Sequence, residues 1–247
     1  MLALEENRTT TVGGPRTLTS AVFERLRADI LATRLVPGQK LHIAGLAGQF
    51  GVSLAAVREA LSRLVADGLV QALDQRGFRV RPVSHADLED VTRTRIEIEA
   101  LALRKSIERG DADWLASVER SHAVLAAMPY RDPADPTQHN EPWIGLHRDF
   151  HRTLVSACGS TWLLSFREVL HEQSERYRRL SIRFNDGQRN VPAEHAVIVN
   201  AVLRRDADAA VASLSEHFML TMRHVESALP VTNATESRPM SGKSTRA

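Results

Sequence analysis

Apolar positions along this chain repeat with two different periods. "TLTSAVFERLRADILATRLVPG", residues 17–38, carries Val22, Leu26 and Ile30 at steps of four and is stopped by Pro37-Gly38. Steps of four keep one face, so the run predicts an amphipathic helix. A short helix follows at "IAGLAGQF", then Gly51-Val52-Ser53, then "LAAVREALSRLVADG". In this last run Val57, Ala60, Leu61, Leu64 and Val65 form one stripe, and Arg58, Glu59, Ser62 and Arg63 the other; Gly68 supplies the C-terminal stop. Next, "LVQAL" and "FRVRPV" alternate with period two around "DQRG", which predicts a β-hairpin with Gly77 in its turn.

From Asp87 onward the period of two disappears. Helical patterns cover about 87–109, 112–128, 142–157, 161–183, 192–204 and 206–228. "RGDAD", "YRDPADPTQHNEP", "CGS", "FNDGQRNVP" and "RRDAD" break them apart. The expected fold is mainly α: three helices and a hairpin over 17–83, then an all-α bundle of six or seven helices over 87–228. Residues 1–16 and 229–247 are polar and without period, and are expected to be flexible ends.

Helix, short helix, glycine turn, polar-faced helix and hairpin is the order of a winged helix-turn-helix. A helix that enters the DNA major groove must offer polar side chains outward while its other stripe packs on its neighbours. The same order also fits a small helical domain whose hairpin only contacts protein. Charge narrows the choice little: 32 Lys and Arg against 30 Asp and Glu give a net +2, although arginines gather in residues 54–81 and in "RYRRLSIR". A single cysteine, Cys158, forms no internal disulfide and fits a reducing compartment. No apolar run reaches the roughly 20 residues of a membrane span, and "MLALEENRTT" lacks the order of a signal peptide. The expected location is cytoplasmic.

In "LHRDFHRTLV", His147 and His151 stand four apart and so share a helix face. Such a pair can supply two ligands to a zinc-like ion, and equally it can be packed or solvated. Two further histidines, His195 and His217, lie on the last two helices, whose antiparallel pairing through "RRDAD" can bring them together. A zinc hydrolase needs a general base as well, and Glu194 beside His195 points about 100° away from it. Trp114, Trp143 and Trp162 read as packing anchors. His42, His85, His122, His139, His171 and His224 are assigned no role.

"GVSLAAVREALSRLVADGLVQALDQRGFRV", preceded by "PGQKL" and "LAGQFGVS", resembles the GntR family of bacterial transcriptional regulators over roughly 17–82. The resemblance implies that Ser53 opens the recognition helix and bonds phosphate, that Arg58 reaches a guanine or phosphate, and that Gly77 enters the minor groove. Leu54-Ala55-Ala56 stands where family members often carry an arginine, which shifts the expected binding toward Arg63, Arg76 and Arg79. "TRTRIEIEALALR", "HRDFHRTLVSACGSTWLL" and "EHAVIVNAVLRRDADAAVASLSEH" resemble the FCD effector domain of the FadR-like subgroup, over about 87–226. That domain often holds a divalent metal through an aspartate and three histidines. His151, His195 and His217 match the histidines, and His147 falls where the aspartate usually lies.

The resemblance further implies that Arg95 faces a cavity and pairs with a carboxylate effector; by residue pattern alone, Arg95 also fits a surface pair with Glu99. Tyr177 and Arg178 are candidates for the same cavity, although a basic run such as "RYRRL" is more often a solvated face. Within the family the chain looks closest to CsiR-like regulators of short-chain dicarboxylate use, whose effector is glutarate. The expectation is thus a homodimeric repressor that binds double-stranded operator DNA, holds a divalent metal, zinc by its imidazole donors, and is released by a small carboxylate. A DNA-binding protein with a purely structural metal is the alternative.

Overall fold

The computed structural model describes residues 18–74, 76–135, 140–181 and 189–228. The ends expected to be flexible, and His139, lie outside these. The first helix, α1 (Leu18–Leu31), buries Val22, Leu26 and Ile30, the stripe that its spacing predicts, and Phe23 beside them. α2 (Ile43–Phe50) stops at Gly51, whose φ of +64° is the left-handed conformation that glycine adopts without strain. α3 (Leu54–Ala66) starts where the Ser53 side chain accepts a hydrogen bond from the Ala56 amide at 3.2 Å. Val57, Ala60, Leu61 and Leu64 of α3 are wholly buried against α1 and α2.

The hairpin gains a third strand. β2 (Val70–Leu73) and β3 (Gly77–Val80) pair antiparallel, and β1 (Lys40–Leu41) adds to the other edge of β3, giving the order β1-β3-β2. Two residues show no alternation, so the pattern did not reveal β1; its register sets Lys40 opposite Arg79 and Leu41 opposite Phe78. Gly77 opens β3 rather than sitting within the turn, with φ of +90°.

Six helices follow among the described residues: α4 (His85–Arg109), α5 (Ala112–Ala126), α6 (Glu141–Leu154), α7 (Thr161–Ser181), α8 (Val191–Leu203) and α9 (Ala207–Ala228). α4 begins two residues earlier than its apolar pattern indicates because Ser84 caps it, accepting from the Asp87 amide at 3.1 Å. α8 and α9 form the expected hairpin, turned at Arg205 (φ +55°) and capped by Asp206, which accepts from the Ala209 amide. Leu103, Val118, Phe150, Leu154, Ile198 and Leu214 are among the buried residues of their common core.

α7 serves both parts of the molecule. One face meets the N-terminal half: Glu172 pairs with Arg27, Gln173 donates to the Asp67 carbonyl at 3.1 Å, and Arg176 donates to the Pro82 carbonyl at 3.2 Å. The hydroxyl of Tyr177 donates to Asp87 at 2.6 Å. The solvated face expected for "RYRRL" is therefore corrected: Arg176, Tyr177 and Arg178 are buried, because helices pack on both sides of them. Trp162 is corrected the other way, being 73% exposed at the start of α7, whereas Trp114 and Trp143 are buried as anchors.

Candidate functional site

Three helices deliver four histidines to one point. α6 brings His147 and His151 on one face, α8 brings His195, and α9 brings His217; all four are buried. One ring nitrogen of each lies within 4.8 Å of the other three. Nε2 of His147 and Nε2 of His151 are 3.1 Å apart, close to the roughly 3.3 Å between nitrogens of a tetrahedral zinc site with bonds near 2.05 Å. Nδ1 of His147, Nδ1 of His151 and Nε2 of His195 are buried without a hydrogen-bond partner. An orphaned nitrogen is costly in a core, and a cation beside the close Nε2 pair would satisfy Nε2 of His195, whereas the Nδ1 atoms of His147 and His151 lie on the far side of their rings from that pair. The donor set therefore fits a divalent ion of borderline softness.

These rings are uncharged. Burial pushes His147, His151 and His217 below the ordinary histidine value, with repulsion among neighbouring imidazoles adding to it for the first two. Burial, then the proximity of His217, brings His195 down to about 2. Neutral imidazole is the form that ligates metal. Trp143 stacks on His147 with centroids 4.5 Å apart, and Phe150 and Phe218 pack on His151. These contacts fix the ring planes.

Beside the histidines opens a small cavity. Its walls include Arg95, His147, His171, Arg178, Arg189 and His217. Arg95 is buried, donates to Glu99 at 2.6 Å and lies 4.0 Å over the Phe218 ring. The pair with Glu99 forms, but the surface setting expected for it is corrected: both residues are buried, and Arg95 faces the cavity. Burial lowers its pKa, although Glu99 opposes the shift. Arg178 is gripped by Glu175 through two bonds of 2.6 and 2.8 Å; burial disfavours its charge, and Glu175 with Tyr130 outweighs that and raises its pKa. Each lining arginine is held by a glutamate, so the guanidiniums are fixed in place before a ligand arrives.

Tyr177 is not brought to this cavity. It lies at the junction with the N-terminal half, where burial and the bond to Asp87 push its hydroxyl up to about 12. His171, by contrast, is a wall residue 3.3 Å from Arg95, and His224 lines the same space. Neither had a signal as a single residue. The helical spacing of Arg167, His171 and Arg178 on the buried face of α7 was the available clue. Glu194 reaches across to α9, where its Oε2 meets Nδ1 of His217 at 2.7 Å.

In the N-terminal half, Ser53, Arg58, Arg76 and Gly77 are exposed on α3 and at the hairpin tip. Arg63 is exposed but lies 4.0 Å over the Phe23 ring, and Arg79 is engaged by Gln71 through bonds of 3.0 and 2.8 Å. The structure thus leaves Arg58 and Arg76 as the less engaged arginines of the candidate set.

Comparison with known proteins decides the family. Residues 18–80 match the "Bacterial regulatory proteins, gntR family" and residues 90–219 match the FCD domain. The chain belongs to the GntR family. This GntR protein is 44% identical to the HTH-type transcriptional regulator BphR of Paraburkholderia xenovorans (strain LB400), over 83% of this chain and 84% of that one. It is 29% identical to the HTH-type transcriptional repressor GlaR of Escherichia coli (strain K12), over 84% and 95% of the two chains. Among solved structures, E. coli McbR/YncC superposes with a TM-score of 0.65 at 22% identity, covering 85% of this chain and 98% of that one, which shows a shared fold. The protein is a DNA-binding transcriptional regulator with the FadR-like pairing of a winged helix-turn-helix and an FCD domain, and not an enzyme. No helix among the described residues is long and apolar enough to cross a membrane.

Proposed function

We propose that this GntR regulator is a cytoplasmic homodimeric repressor, released from its operator by a small dicarboxylate such as glutarate bound beside a divalent metal. Residues 17–83 form the DNA-binding domain in this reading, and residues 87–228 bind the effector and the second subunit. The observation that carries it is the meeting of four buried histidines with a cavity walled by Arg95, Arg178 and Arg189. His147, His151, His195 and His217 would hold the ion, zinc being the best match to an all-imidazole set. With a coordination position beyond the four imidazoles, the bound ion would supply a Lewis-acidic partner for a carboxylate oxygen. Arg95 and Arg178 would anchor the far end of the ligand through fork-shaped hydrogen bonds.

On the DNA side, Ser53, Arg58 and Arg76 would contact phosphate or base edges, with Gly77 allowing close approach to the minor groove and Arg63 and Arg79 as flanking contacts. A two-fold dimer presents two such helices to a pseudo-palindromic operator. Effector binding relieves repression only if the ligand binds the two arrangements of the dimer unequally.

The test is metal content of tag-free protein, comparing the native chain with His151→Ala and His195→Ala, followed by operator affinity with and without glutarate. The expected result is about one zinc-like ion per chain, lost in both variants, and a fall in operator affinity with glutarate. Metal-free native protein would leave the histidines as a packed, ligand-facing wall. Metal without any response to glutarate or related acids would favour a structural ion.

A further inference from the structure

Beyond the four ligands, the sharpest arrangement at this centre is a three-residue clamp. The carboxylate of Glu194 is held on both oxygens by Arg189, with Nε to Oε1 at 2.7 Å and Nη2 to Oε2 at 2.6 Å. Its Oε2 also meets Nδ1 of His217 at 2.7 Å. Arg189 closes the figure by donating from Nη2 to the backbone carbonyl of His217 at 3.0 Å. A plain ion pair tying the chain to the start of α8 would need none of the contacts to α9. Here both side chains converge on one histidine.

We propose that Glu194 is the positioning residue of the histidine centre. By accepting from His217 it keeps the ring proton on Nδ1 and leaves the lone pair on Nε2, the nitrogen then available to a cation. An imidazole ligand whose other nitrogen donates to a carboxylate is oriented and made more basic. Among the described residues, no other carboxylate is hydrogen-bonded to any of the four rings. Arg189 fixes the carboxylate in turn and stands in the cavity wall. One carboxylate thereby serves the ligand set on one side and an arginine of the anion pocket on the other.

The inference rests on the metal reading above, and its test separates the two. Zinc alone is the probe: its dissociation constant is measured by chelator competition on the full-length native chain, Glu194→Ala, Glu194→Gln and Arg189→Met. The expected loss for Glu194→Ala is about ten- to a hundredfold. Glu194→Gln keeps an acceptor of nearly the same shape and is expected to fall between that variant and the native chain. Arg189→Met, with the carboxylate retained, is expected to lose less than Glu194→Ala. The absorption spectrum of the cobalt-loaded protein is expected to shift in Glu194→Ala, which a remote structural contact would not cause. If the native chain binds zinc and all three variants bind it equally well, Glu194 does not position the ligand. If the native chain binds no zinc, the metal reading falls and this inference with it. Should Glu194→Ala fail to fold, the comparison of Glu194→Gln with the native chain decides.

Discussion

At the scale of single residues, identical side chains have opposite fates according to what surrounds them. Trp143 is 4% exposed, meets Tyr130 edge-on and stacks on His147, whereas Trp162 is 73% exposed. Trp143→Ala is expected to cost about 3–5 kcal/mol in urea unfolding, and Trp162→Ser to stay within about 0.5 kcal/mol of the native chain. Equal losses would contradict this placement. Sequence alone does not separate the two, since both follow a helix start in similar apolar company. The histidine set was more legible, because an i, i+4 pair and an antiparallel hairpin are local geometries that spacing encodes. Glu194 and His171 were not, since their partners His217 and Arg95 lie on other helices, and a contact between distant segments leaves no period in the chain.

At the scale of elements, the apolar stripes of α1 and α3 and the breaks between helices were plain in the sequence, and caps explain the small shifts at their ends. β1 escaped because two residues carry no alternation, and its pairing depends on β3, nearly forty positions away. The most informative element is α7, whose polar residues looked like a solvated run. Its Glu172 reaches Arg27 of α1, and the two side chains are 21% and 25% exposed. A double-mutant cycle of Arg27→Met and Glu172→Gln is expected to show a coupling of about 1 kcal/mol in urea unfolding, more than typical fully exposed pairs give. Additive effects would mean that α1 and α7 do not hold each other in solution.

For the whole molecule, the buried histidines make stability depend on pH. Burial holds His147, His151, His171, His195 and His217 below their ordinary values, His195 at about 2. In the unfolded chain these groups take up protons near pH 6.5, while the folded rings stay neutral. The unfolded state thus binds more protons below that pH, so stability is full above about 6.5 and is lost as pH falls toward the depressed folded values. Each such ring contributes about 1.4 kcal/mol per pH unit within that window. Chelator-treated protein is expected to lose several kcal/mol of unfolding free energy between pH 7.5 and 5.5; a flat profile would contradict the buried neutral rings. The two faces of α7 carry a mechanical consequence. Side-chain tips stand roughly 5 Å from a helix axis, so a roll of about 20° displaces them by about 2 Å. That arc exceeds the tolerance of a hydrogen bond. If a ligand pulling on His171 and Arg178 rolls the helix, the grip of Gln173 on Asp67 and of Arg176 on Pro82 loosens with it. Such a camshaft needs no hinge in the linker.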